Sequence, residues 1–164
     1  MMTSYELMGF MPPELAAGIL EFAYAEDKPL YRATLAAVAE ARRLRPVFLE
    51  RQPRVERHKM MLTMLQRPAM DAVAGNLIRD WLLKKQKPML ADFLSSLGIA
   101  HTDGVVEELP EKVEDDKLKA AVDGLLAKYP KEVVTVYLNA FNTMNETNWE
   151  NLKEILAKDP RLQF

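Results

Sequence analysis

Cysteine is absent from this 164-residue chain, which excludes disulfides, thiolate metal sites and cysteine nucleophiles together. Histidine is scarce as well. The two present, His58 and His101, supply neither paired imidazoles one helical turn apart nor a Glu-x-x-His motif on each of two helices, so no metal centre is expected. The six glycines stand singly at 9, 18, 75, 98, 104 and 124, and no glycine-rich loop gathers backbone amides around a phosphate. Nucleotide cofactors bound by the usual loops are therefore not expected, and neither a nucleophile elbow nor a kinase signature occurs. No stretch approaches the ~18 uninterrupted apolar residues of a membrane span. The start, MMTSYELMGFMPPE, lacks the basic and apolar regions of a secretory signal. The expectation is a cytoplasmic protein with no cofactor and no membrane partner.

Hydrophobic residues at 49%, charged residues at 28% and a net charge of −2 are ordinary globular values, and they argue against general affinity for polyanions. Sustained alternation of β-branched and aromatic residues is missing. Val133, Val134 and Val136 come nearest, but they continue through Tyr137, Leu138 and Phe141 at helical spacing. The fold class read from this pattern is all-α: a single domain, 1–164, of about eight helices in consecutive proline-hinged hairpins.

The clearest hairpin lies within 69–98. Leu77, Ile78, Trp81 and Leu82 form one apolar stripe. Pro88 starts a second helix, with Met89, Leu90, Phe93, Leu94 and Leu97 on its stripe. Gly98 is placed to close that helix in the left-handed conformation, with Ile99 covering its end. A similar pattern surrounds Pro29 and, more weakly, Pro130, and FLERQPRV at 48–55 echoes ILAKDPRL at 155–162. Residues 13–55 and 116–162 are thus candidate duplicated halves, although the tetratricopeptide, ankyrin and leucine-rich signatures are lacking. Residues 1–11 form an apolar arm expected to lie on the body, and 99–113 is the longest loop. Asp115 and Asn145 are the expected caps of helices in the last third. In the segment 54–66, Val55, Leu62 and Leu65 are expected to face inward, with His58 on the solvated side.

Charge is uneven despite its near balance. The stretch 42–59 carries Arg42, Arg43, Arg45, Arg51, Arg54, Arg57 and Lys59 against two glutamates, whereas 107–116 carries six acids against one lysine. Arginine predominates in the first, and its fork suits carboxylate or phosphate. Met60, Met61 and Met64 follow at once, and thioethers can adapt to a partner's surface. The leading expectation is a non-catalytic helical protein-interaction module, with an unidentified protein bound through Arg42, Arg43, Arg45, Arg51, Arg54, Arg57, Met60, Met61 and Met64. Nucleic-acid or anionic-ligand binding through 42–59 is the alternative; Val47, Phe48 and Leu49, read as buried, weigh against stacking on bases. A third reading places an enzyme or weak metal site in the 99–113 loop, where His101, Asp103 and Glu107 could act as base, orienting carboxylate and second acid. The same residues also suit an ordinary ordered turn.

Overall fold

The structure, a computed structural model, describes residues 1–164 and is all-helical, with ten α-helices and two short 3₁₀ turns. The only pairing of strand type is an isolated bridge between Thr102 and Val105. No helix is long and apolar enough to cross a membrane. The chain divides into two compact units, Thr3–Trp81 and Leu82–Phe164 together with Met1–Met2. The candidate halves 13–55 and 116–162 fall in different units.

The first unit opens with α1, Ser4–Phe10, so the expected apolar arm is itself a helix. Thr3 and Glu6 form a capping box that satisfies donors at its start, and Leu7 and Met8 are buried. Helices α2, Pro13–Glu26, and α3, Lys28–Ala41, are 14 residues each. Between them Asp27 caps α3 by accepting the Leu30 N–H, and Pro29 occupies the first turn. Helix α4, Pro46–Glu50, is a single short turn before Pro53 opens α5, Arg54–Leu65. A 3₁₀ turn at Pro68–Met70 leads into α6, Asp71–Lys85, whose residues from Leu82 on belong to the second unit. Ile19, Leu20, Leu35, Val38, Leu49, Met61 and Leu65 make the core where α2, α3, α4 and α5 pack.

The second unit contains α7, Lys87–Ser96, α8, Asp115–Lys128, α9, Lys131–Met144, and α10, Glu150–Lys158. Helix α9 is buried around most of its circumference, from Val134 through Asn142. Phe93, Tyr137, Phe141 and Trp149 meet there in edge and tilted ring contacts at 4.7 to 5.7 Å, each ring adding a large apolar area to the core. Buried amides join this core. Asn142 accepts from Trp149 N–H at 3.3 Å and donates to Trp149 C=O at 3.4 Å, while Asn139 accepts from Met2 N–H at 2.7 Å. Trp149 Nε1–H donates to Pro110 C=O at 3.0 Å, tying the 99–113 segment to the ring cluster.

Helix ends follow local chemistry closely. Gly98, at φ 69°, closes α7: Ile99 N–H donates to Leu94 C=O and Gly98 N–H to Ser95 C=O, and Ile99 is buried. The same double closure ends α3 at Arg43, φ 56°, and α9 at Glu146, φ 53°. Two expected caps are displaced. Glu114 stands at the N-cap position of α8 without a side-chain cap hydrogen bond, Asp115 is the first residue of that helix, and Trp149 rather than Asn145 precedes α10. Asn145 instead terminates α9, where its side chain donates to Phe141 C=O. The pair α8 and α9 repeats the 14-residue lengths of α2 and α3, but the next helices differ, five residues in α4 and nine in α10.

Candidate functional site

The arginine stretch runs from the end of α3, through α4, into the first turns of α5. Arg42, Arg43, Arg45, Arg51 and Arg54 are exposed and Arg57 is half-buried. Val47, Phe48 and Val55 lie among them at 45%, 49% and 66% exposure. This corrects the expectation that Val47 and Phe48 are buried; only Leu49 is. A five-residue helix turns one side inward, Leu49 takes that place, and its two apolar neighbours are left outside.

The buried face of helix α5 is displaced from the expected one toward Met61. Its inward stripe is His58, Met61, Met64 and Leu65, while Val55 is exposed and Leu62 only half-buried. Met61 and Met64 are therefore core residues and present no thioether to a partner, and Met60 is half-buried. His58, read as solvated, is 6% exposed. Its burial is possible because both ring nitrogens are partnered. Nε2 lies 2.8 Å from Tyr31 Oη of α3, and Nδ1 lies 3.1 Å from Glu21 Oε1 of α2. A carboxylate only accepts, so Nδ1 carries a proton, and in the neutral ring Nε2 accepts from the tyrosine. Burial lowers the proton affinity of His58, opposed by the Glu21 charge and reinforced by Arg57 and Arg54. Tyr31 is pushed upward from its ordinary value, chiefly by burial, so its hydroxyl stays protonated and is no nucleophile.

Around this relay Tyr24 meets Tyr31 and His58 edge-on at 5.1 and 5.8 Å. The Arg54 guanidinium sits 4.7 Å over the Tyr24 ring, and Arg57 lies 5.9 Å from it. Arg57 also donates to Glu50 C=O at 3.2 Å, which joins α5 to α4. Sequence reasoning named both arginines and missed Glu21, Tyr24 and Tyr31. Their signal was available in part, since Glu21 and Tyr24 are one helical turn apart on α2.

The second candidate, the 99–113 loop, borders a surface concavity of about 670 Å³ lined by His101, Glu107 and Glu108 among others. His101 Nδ1 accepts the Gly104 N–H at 3.2 Å, and its Nε2 lies 2.9 Å from Ser95 Oγ. The backbone donor fixes the proton on Nε2, which therefore donates to the serine. A base needs the opposite tautomer, so this pair does not activate Ser95. Asp103 is exposed at φ 51° and Glu107 is exposed; neither belongs to a group of three acids or histidines placed to hold a metal ion. The loop is anchored by Gly104, which is pressed against Leu90 of α7.

The chain matches no family model, no curated protein and no solved structure.

Proposed function

We propose that the chain is a non-catalytic helical interaction module, and that the unit Thr3–Trp81 docks an acidic, apolar-bearing protein segment on its α4–α5 face. The observation that carries this reading is the exposure of Val47, Phe48 and Val55 among Arg45, Arg51 and Arg54. Exposed apolar side chains interspersed along the chain with arginine match the composition of interface centres, where aromatics and arginine are enriched. The arginines select an acidic partner, and the apolar trio supplies area that water does not fill favourably. Nucleic acid is the weaker occupant, because Phe48 is the only exposed aromatic in the stretch and Glu50 and Glu56 interrupt its positive field.

The test is site-specific photo-crosslinking in the native host, with a benzophenone side chain in place of Phe48 or, as control, Phe10, which is 64% exposed on α1. A discrete protein adduct from position 48 alone, lost in Arg45→Glu/Arg51→Glu, is the expected result. Adducts to nucleic acid, or equal adducts from both positions, would overturn the reading.

A further inference from the structure

A single oxygen, Glu21 Oε1, stands between His58 Nδ1 at 3.1 Å and Arg54 Nε at 3.6 Å. The second distance is an ion pair too long for a good hydrogen bond. An arginine fork is best matched by both oxygens of one carboxylate, and Glu21 offers Arg54 only a loose one-oxygen contact. Both side chains are accessible, 52% exposed for Arg54 and 46% for Glu21. The fork does not depend on Glu21 for its position, because the guanidinium rests 4.7 Å over the Tyr24 ring. His58 is likewise held from its other side by Tyr31. Arg54 and His58 thus each keep a second contact, to Tyr24 and to Tyr31, when the Glu21 carboxylate is exchanged for another. Arg57, over the same two tyrosine rings, adds a second positive charge, and Val55 beside Arg54 is exposed apolar surface.

We propose that Glu21 is the internal occupant of a carboxylate-binding site formed by Arg54, seated on Tyr24, and His58, and that an acidic segment of a protein partner docks by taking its place. This rests on the docking reading above and goes further in naming the group that is exchanged. Its consequence is directional: removing the Glu21 charge strengthens binding, whereas a carboxylate with a purely structural role leaves affinity unchanged or lowers it.

The probe is a fluorescein-labelled amphipathic helical peptide with leucine on one face flanked by glutamate, titrated against the full chain by fluorescence anisotropy. Glu21→Gln binds about two- to fivefold more tightly than the unaltered protein, the range of one exposed ion pair. Glu56→Gln makes the same change in net charge at a residue that pairs with Lys59 instead, and gives a smaller gain. Arg54→Lys keeps the charge but loses the fork, and it abolishes the advantage of Glu21→Gln when the two are combined. Equal gains from Glu21→Gln and Glu56→Gln, or weaker binding by Glu21→Gln, overturn the exchange and leave docking intact. No binding by any variant overturns both. Should Glu21→Gln fail to fold by circular dichroism, the unaltered protein decides the matter by NMR. The Arg54 Nε–Hε and His58 ring signals shift on peptide addition if the exchange occurs, and stay fixed if it does not.

Discussion

Tyr31 Oη and His58 Nε2 lie 2.8 Å apart in the interior of the unit Thr3–Trp81, and in the neutral imidazole that burial favours Nε2 is the acceptor. Burial is the main cause of the lowered proton affinity of His58. An unfolded chain therefore binds a proton at this residue more readily than the folded one. Stability from this source is complete above the ordinary histidine value of about 6.5 and declines as pH falls below it, toward the lowered folded value. Urea midpoints measured between about pH 5 and 8 should fall on the acid side, and His58→Gln should flatten that slope. A slope unaffected by the substitution would assign the pH dependence to other groups.

Tyr31→Phe leaves His58 Nε2 buried without a donor, at an expected cost of about 1–3 kcal/mol. It also removes the hydrogen bond that favours the neutral ring, so the proton affinity of His58 should rise. Chemical denaturation gives the first quantity and an NMR titration of the ring the second. A stability loss with no change in titration would show that the hydroxyl does not face the imidazole.

Arg43 and Glu146 occupy left-handed positions that glycine fills without strain, as Gly98 does at the end of α7. Arg43→Gly and Glu146→Gly should each stabilise the protein by about 0.5–1 kcal/mol, after allowance for the greater freedom of glycine in the unfolded chain. Gly98→Ala should destabilise by a similar amount. Thermal melts of the three variants test the pattern, and a loss in all three would refute it.

Gly104→Ala should be the most damaging substitution in the 99–113 loop. A Cβ there would lie 2.6 Å from Leu90 Cβ, at a φ of 85° that side chains rarely adopt. Backbone must move at a cost of about 2–3 kcal/mol. The movement also withdraws the N–H that fixes the His101 tautomer, so the imidazole ¹⁵N shifts should change together with stability. Unchanged shifts in a folded variant would contradict the clamp.

The elements most legible in the sequence are those decided within a few residues of themselves. Gly98 followed by Ile99 announces the end of α7 because both closing hydrogen bonds are local. The loop role of His101 was similarly readable, although its partner Ser95, on the preceding helix, was not. Aliphatic residues alone do not mark the buried face of α5. Polar His58 is admitted to the interior by Glu21 and Tyr31, 37 and 27 residues away, and neither partner is visible from α5 alone. Val55 and His58 stand three residues apart on one side of the helix, and the buried face, centred nearer Met61, takes in the histidine and leaves the valine at its edge. Val47 and Phe48 were misplaced for a related reason: hydrophobicity identifies candidates for burial, while the short α4 has room to bury only Leu49.

The amides buried along α9 set the alignment of that helix. A slide by one turn, about 5.4 Å, would exchange valine, leucine and phenylalanine for one another against a greasy surface that distinguishes them only by shape. It would also strip Asn142 from both backbone groups of Trp149 and Asn139 from Met2, stranding polar atoms in the interior. Hydrophobic collapse can gather α9 among its neighbours in several registers, and the asparagines make all but one of them expensive.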